Sequence, residues 1–296
     1  MDNSIAVLDL GTNTFKLVIS KTQCPFPPVY RSEKVVFIGK GGLQNKRILE
    51  DAVHRAQKVL RSFTKVIVQY QPNKIKAVAT EAIRNAENSD EILSELQLNI
   101  PFSIEEISGK GEAELTWLGV RESGLLKTET DMIIDIGGGS TEVIFANRNK
   151  LFWSKSYKAG VSRALEQVDV QNLPSKDTLS TMLAYFKTHM PGLTEMLKQY
   201  QPQRLIGTAG SFNSWRKISE PENKGKIPFY LFSNGSLLDL INKINTSPLE
   251  QRQNIISFRR ETIVPAGIII KYLMEIHTFK TIYQCSYSLA EGLISK

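Results

Sequence analysis

Ile5-Ala6-Val7-Leu8-Asp9-Leu10-Gly11-Thr12-Asn13-Thr14-Phe15-Lys16-Leu17-Val18-Ile19 opens the chain with an apolar run, a polar turn and a second apolar run. Two such runs joined by a short polar tip read as a β-hairpin with Thr12-Asn13-Thr14 at its end. The part from Asp9 onward can be laid without a gap over Asp135-Ile136-Gly137-Gly138-Gly139-Ser140-Thr141-Glu142-Val143-Ile144-Phe145. Both read strand, Asp, apolar residue, Gly, hydroxyl-bearing turn, strand. Chance competes with duplication, because Asp–apolar–Gly turns are common. Each copy, however, starts a stretch of mixed strands and helices, which favours duplication. The expectation is two similar α/β domains facing one another, with both Asp–Gly turns in one interdomain cleft.

The bulk properties suit that reading. At 296 residues the chain exceeds a typical single domain, and 41% apolar with 23% charged residues suits a core-forming protein. No apolar run approaches the ~18 residues that span a bilayer. Asp2 and Asp9 interrupt the apolar start and no basic region precedes it, so no signal peptide is expected. Two cysteines, Cys24 and Cys285, exclude a disulfide scaffold and a multi-cysteine zinc site. Three scattered histidines (His54, His189, His277) argue against a His-rich metal centre. A cytoplasmic protein with no membrane association is expected. The net charge of +7, from 37 Lys+Arg against 30 Asp+Glu, favours polyanionic partners, although such an excess also serves solubility. Lys and Arg are dispersed and no reader motif occurs, so no specific nucleic-acid partner is expected.

Outward from the hairpins, Pro25, Pro27 and Pro28 mark a loop, Val35 to Ile38 a strand, and Gly39-Lys40-Gly41-Gly42 a flexible turn. Apolar residues at Ile48, Ala52, Ala56, Val59, Leu60 and Phe63 have helical spacing. Asn88 with Glu91 resembles a capping box opening a helix over 91–96. A strand at Ile75 to Ala79 leads into a helix start at Thr80 to Ala86. Strands at 104–107 and 132–136 flank a helix over about 110–119. Glu142 to Ala146 and Leu151 to Tyr157 read as meander partners. Helices at about 162–168, 176–189, 236–245 and 262–278 alternate with strands at 203–207 and 280–285, before a small final helix at 289–294. Alternation of this kind defines the α/β class.

The turns carry chemistry. Gly137-Gly138-Gly139-Ser140-Thr141 offers backbone N–H groups unobstructed by side chains, plus two hydroxyls, which suits phosphate oxygens. Asp9 and Asp135 stand where each strand ends and could hold a hydrated Mg²⁺, a hard cation that prefers oxygen ligands. Turn initiation by each Asp is the competing explanation. Gly207-Thr208-Ala209-Gly210-Ser211 is a third glycine turn, between a strand and a helix, where free N–H groups aim at an anion. It lacks the Gly-Lys-Ser/Thr ending of a P-loop, and no G-x-G-x-x-G occurs.

Together, residues 9–14, Ala79-Thr80-Glu81-Ala82-Ile83-Arg84-Asn85-Ala86, Ile107-Ser108-Gly109-Lys110-Gly111-Glu112-Ala113, residues 135–142 and residues 207–211 resemble the exopolyphosphatase / guanosine pentaphosphate phosphatase (Ppx–GppA) family, in the family's order and over nearly the whole chain. The resemblance implies two ribonuclease-H-like domains of the actin, sugar kinase and heat-shock ATPase superfamily. These would be residues 1–121, completed by the C-terminal helix 288–296, and residues 122–287. It implies Mg²⁺-assisted hydrolysis of the terminal phosphoanhydride of polyphosphate or of the 5′-γ-phosphate of pppGpp (guanosine pentaphosphate), and a homodimer. By motif position Glu112 resembles the family's catalytic carboxylate, which would orient and deprotonate water. Arg84 resembles its phosphate-clamping arginine. Thr12, Asn13, Thr14, Gly137, Gly138, Gly139, Ser140, Thr141, Gly207, Gly210 and Ser211 would bind phosphate, and Asp9 and Asp135 the metal. Gly111 stands where the family often has a second Glu, and Glu114 where Arg is common. A short form of the family, without the extra C-terminal helical domains of longer members, is expected. A small-molecule kinase of the same superfamily and a non-catalytic phosphate-chain sensor remain as alternatives.

Overall fold

The computed structural model describes residues 3–23, 26–98, 100–168, 174–220, 227–233, 235–252, 255 and 259–296; Asp2, Cys24 and Pro25 lie outside them. The chain divides into two compact units, Met1–Gly119 with Leu289–Lys296, and Val120–Ser288.

In the first unit β1 (Ser4–Leu10), β2 (Thr14–Lys21), β3 (Tyr30–Val35), β4 (Lys74–Ala79) and β5 (Ile104–Glu106) form one sheet in the order β3-β2-β1-β4-β5. The first three make an antiparallel meander, whereas β4 runs parallel to β1 and β5 parallel to β4. Both faces of β1 are buried, which explains its unbroken apolar run. One face packs Leu8, Leu10 and Leu17 against Ala52, Ala56, Leu60, Phe63 and Ile67 of α1 (Glu50–Tyr70). On the other, Ile5, Val7 and Val18 meet Leu115 of α4 (Gly109–Glu122) and Leu289, Ala290 and Leu293 of α11 (Leu289–Ser295). Two short helices, α2 (Glu81–Arg84) and α3 (Ser89–Gln97), link β4 to β5.

The second unit repeats the plan. Its sheet has the order β10-β11-β9-β6-β7-β8, built from β6 (Asp131–Ile136), β7 (Thr141–Ala146), β8 (Leu151–Tyr157), β9 (Arg204–Thr208), β10 (Phe229–Phe232) and β11 (Thr281–Cys285). Strands β6 to β8 form the meander, β9 and β11 are parallel additions, and β10 is an antiparallel edge. Its helices are α5 (Val161–Gln167), α6 (Lys176–His189), α7 (Leu193–Tyr200), α8 (Ala209–Ser219), α9 (Ser236–Asn245) and α10 (Ile263–Ile276). A three-stranded meander extended by parallel strands beside its first strand is the ribonuclease-H-like arrangement, and it occurs twice. The internal repeat is a repeat of backbone geometry. Asp9 pairs with Lys16 and Leu10 with Phe15 in one hairpin, as Asp135 pairs with Glu142 and Ile136 with Thr141 in the other. The Gly11 N–H donates to the Thr14 carbonyl at 3.1 Å, and the Gly137 N–H to the Ser140 carbonyl at 3.0 Å.

Several expectations are corrected. The strand expected at Val35 to Ile38 lies earlier, over Tyr30–Val35, because the Val36 and Phe37 N–H groups donate to the Asn13 carbonyl instead of a sheet partner. Helix α1 continues to Tyr70, with Ile67 prolonging the stripe that ends with Phe63 in the sequence reading. No capping box forms at Asn88, whose side-chain amide both accepts from the Ile48 N–H and donates to the Ile48 carbonyl, each at 3.0 Å. Helix α7 and strand β10 were not anticipated; each is short and buries few residues. Among the described residues no helix is long and apolar enough to cross a membrane.

Candidate active site

In each unit the singled-out residues gather at the C-terminal edge of the parallel strands, where open α/β sheets place their ligand sites. In the first unit the end of β1 presents the Thr12–Asn13 turn and β4 leads through Thr80 into α2, which ends at Arg84. The end of β5 leads through Ile107 and Ser108 into α4, whose first turn bears Glu112. The Ile107 N–H donates to the Ala79 carbonyl and the Thr80 N–H to the Leu10 carbonyl, so the three strand ends are stitched together.

This stitching brings Arg84 and Glu112 into contact. Arg84 Nη1 donates to Glu112 Oε2 at 3.0 Å and to the Ile107 carbonyl at 2.8 Å. Arginine carries five N–H donors, and this contact leaves those on Nε and Nη2 for an anion. Glu112 is buried, at 9% exposure, so its carboxylate is shielded from bulk water. Ser108 starts the helix, its hydroxyl accepting from the Gly111 N–H at 3.1 Å. A side chain at Gly111 would find ordinary contacts only, 3.4 Å from Ser108 Oγ, so no crowding requires glycine there. Glu114 is exposed and 3.9 Å from Lys296, away from Arg84's partners.

Asp9 is almost fully buried and its Oδ2 lies 3.4 Å from Lys16 Nζ. Burial pushes its carboxyl above the ordinary range, and the Lys16 ammonium pulls it part of the way back. Thr12 is buried; Asn13 and Thr14 are half-buried, and the Asn13 carbonyl is occupied by Val36 and Phe37.

The glycine turn of the second unit is more open to an anion. The carbonyls of Gly137, Gly138 and Gly139 accept from the backbone of residues 160–163 at the start of α5, with Val161 N–H to Gly137 O at 3.0 Å and Ser162 N–H to Gly138 O at 2.8 Å. Arg163 Nε adds a bond to the Gly139 carbonyl at 2.9 Å. A peptide's N–H points opposite to its C=O. Anchoring the three carbonyls on one side therefore turns the N–H groups of Gly138, Gly139 and Ser140 to the other, and among the described residues these make no backbone hydrogen bond. Such a concave row of N–H groups is an anion nest. The hydroxyls behave differently from the sequence expectation. Thr141 is fully buried and donates to the Ala159 carbonyl at 2.8 Å, and Ser140 donates to Glu142 Oε1 at 2.7 Å.

Asp135 is half-buried, with Glu142 opposite on β7 and Thr208 on β9. Glu142, buried at 2% exposure, also accepts from Ser156 Oγ at 2.7 Å. Where the first hairpin has a lysine beside its Asp, the second therefore has a carboxylate. Among the described residues no group of three or more His, Cys, Asp or Glu forms a metal cage. Asp135 and Glu142 bring two carboxylates to one place, which suits a cation retaining its waters, whereas Asp9 has the Lys16 ammonium beside it.

The third turn divides. Gly207 is a packing residue, since a Cβ would overlap the Phe212 ring. A Cβ at Gly210 would overlap the Arg259 guanidinium, which is seated on the turn itself, and Ser211 is buried. Ala209 adopts φ 61°, a left-handed conformation uncommon for a residue with a side chain. Sequence reasoning missed both Arg259 and Glu142. Arg259 is remote in sequence from the turn and has no motif around it, while Glu142 closes the 135–142 motif but has no role of its own until its register with Asp135 is considered.

Residues 17–296 match the Ppx/GppA phosphatase family. The exopolyphosphatase 1 of Mycobacterium tuberculosis (strain ATCC 25618 / H37Rv) is 22% identical over 299 residues, covering 98% of this chain and 87% of that protein. A guanosine-5'-triphosphate,3'-diphosphate pyrophosphatase of Pseudoalteromonas translucida is 26% identical over 222 residues, 75% of this chain and 44% of that protein. Among solved structures, an exopolyphosphatase from Cytophaga hutchinsonii superposes with TM-score 0.94 at 27% identity, over 99% of this chain and 97% of that one. The Ppx-GppA enzyme of Aquifex aeolicus superposes with TM-score 0.79 at 22% identity, over 99% of both chains.

Proposed function

Because the chain belongs to the Ppx/GppA phosphatase family, we propose that it is a phosphoanhydride hydrolase, releasing the terminal phosphate of inorganic polyphosphate or the 5′-γ-phosphate of a guanosine pentaphosphate. The observation that carries this reading is the Arg84–Glu112 pair at the C-terminal edge of the first sheet.

Phosphoryl transfer to water needs an oriented nucleophile and neutralisation of the charge on the transferring group. Glu112 supplies the general base, holding the attacking water by one oxygen and taking its proton. Arg84 stays bound to Ile107 and Glu112 through Nη1 and grips the terminal phosphate with Nε and Nη2, a planar two-point contact that lysine cannot make. Within the second unit, the N–H groups of Gly138, Gly139 and Ser140, and Arg259 seated on Gly210, have the chemistry to bind phosphate oxygens. Asp135 and Glu142 would hold a hydrated Mg²⁺, which when bound would supply positive charge for phosphate oxygens.

The test is phosphate release from polyphosphate, guanosine pentaphosphate and ATP, with Mg²⁺ and with chelator, for the natural chain and for Glu112→Gln. The amide keeps the shape but cannot accept the proton. A loss of about a hundredfold or more is expected; undiminished release removes Glu112 from the role. Transfer of phosphate to an added acceptor instead of water would identify a kinase.

A further inference from the structure

Resting on the hydrolase reading, we infer that the loop Phe37–Arg47 is a second phosphate-binding element, which holds the phosphates behind the one being cleaved. The sequence presents Gly39-Lys40-Gly41-Gly42 as a flexible turn, but the structure fixes this loop at both ends. At one end the Val36 and Phe37 N–H groups donate to the Asn13 carbonyl at 2.9 and 3.0 Å. Gly39 packs so closely there that a Cβ would lie 2.6 Å from Leu43 Cδ2 and 3.0 Å from Thr12 Cγ2. At the other end the Glu87 N–H donates to the Lys46 carbonyl at 2.7 Å, and Ile48 is clasped by the Asn88 amide. Internal bonds from Lys40 N–H to Phe37 O, Gly42 N–H to Gly39 O and Arg47 N–H to Gly42 O complete its shape. The loop thus joins the turn bearing Thr12 and Asn13 to the segment that follows Arg84.

The charge within the loop is one-sided, with Asp51 of α1 the acid on which Lys40 acts electrostatically. Lys40, Lys46 and Arg47 are all exposed, no Asp or Glu lies between residues 37 and 47, and among the described residues none of the three side chains makes an ion pair or hydrogen bond. Three cations on one loop of fixed backbone shape can be paired together only by an anion that carries several charges. A ligand with several adjacent negative charges could pair with them with little reordering of the loop backbone. The matching chemical class is a run of condensed phosphates, either an inorganic chain or the 5′-triphosphate of a nucleotide.

The experiment compares the full-length natural chain with the triple variant Lys40→Ala, Lys46→Ala, Arg47→Ala and with the charge-preserving triple variant Lys40→Arg, Lys46→Arg, Arg47→Lys. Calorimetric binding of tripolyphosphate, long-chain polyphosphate and GTP is measured without Mg²⁺ at two salt concentrations, and KM and kcat are measured with Mg²⁺. All three side chains are exposed, so circular dichroism should be unchanged. The alanine variant should bind at least one probe about tenfold more weakly, with a flatter salt dependence and a rise in KM that exceeds any change in kcat. The charge-preserving variant should restore affinity. A loss for all probes supports recognition of the phosphates themselves, and a loss for GTP alone or the inorganic chains alone identifies the source. Equal affinities for natural and alanine chains, or no binding of any probe by the natural chain, overturn the inference. Loop-dependent binding without phosphate release would overturn the hydrolase reading alone.

Discussion

Lys16 and Glu142 occupy the same place in two equivalent hairpins and carry opposite charges, so the two strand-ending aspartates differ in chemistry despite their matched sequence contexts. Lys16 neutralises Asp9 inside the first unit, whereas Glu142 leaves Asp135 the better candidate for a hydrated cation. Thr141 teaches the same lesson at a single hydroxyl. Its sequence position suits a phosphate ligand, yet its Oγ1 is spent on Ala159. Away from the site, Tyr157 is buried and donates to the Pro191 carbonyl at 3.3 Å. Burial, helped by nearby Tyr272 and Glu195, pushes its hydroxyl from 10.0 up to about 12. Between those values the unfolded chain releases the proton while the folded chain keeps it. This tyrosine's contribution to stability is therefore complete below the lower value and is lost as pH rises through the window. Tyr157→Phe should flatten the alkaline fall in stability, measured as urea midpoints from about pH 9 to pH 11; identical profiles would refute the assignment.

The last helix is the element whose role the sequence least discloses. A seven-residue helix cannot hold its shape alone, yet α11 contains Glu291, which is fully buried and ion-paired with Arg31 of the edge strand β3. Lys76 Nζ adds a bond to the Leu293 carbonyl at 2.9 Å. Gly292 has no room for a side chain, because a Cβ would overlap the carbonyl oxygen of Leu115 on α4. Leu115 follows Glu112 by three residues on that helix, so displacing α11 should displace the base. Gly292→Ala should cost about 1–3 kcal/mol through overpacking and lower phosphate release from the protein that remains folded. Leu293→Ala, which opens a cavity without pressing on α4, should lower the thermal midpoint but spare release. Equal losses of release in the two variants would leave α11 a purely structural support. Elements with a long stripe, such as α1, were legible from periodicity. Asn88 was not, because its amide turned to Ile48, a partner forty residues away in sequence.

Charge is unevenly shared across the molecule. The first unit carries 16 Lys+Arg against 15 Asp+Glu, and the second 21 against 15, so nearly all of the +7 excess belongs to the second. A polyanionic substrate should be drawn by that field, which salt screens over a distance of about 10 Å at 0.1 M. Raising the salt from about 50 to about 300 mM should therefore increase KM for polyphosphate several-fold with a smaller effect on kcat. A salt-independent KM would show that the excess serves solubility alone.

The α/β class, the duplicated hairpin and the long helices could be read from the chain, because local periodicity and turn chemistry are properties of neighbouring residues; Arg84 and Glu112 stood out only through the family resemblance. The folded arrangement alone decided that Arg84 meets Glu112, that Arg259 sits on Gly210, that Lys16 lies beside Asp9, and that a glycine-rich loop is bonded at both ends. Each of these depends on which distant backbone groups satisfy one another when strands pair in register. No single segment carries that information.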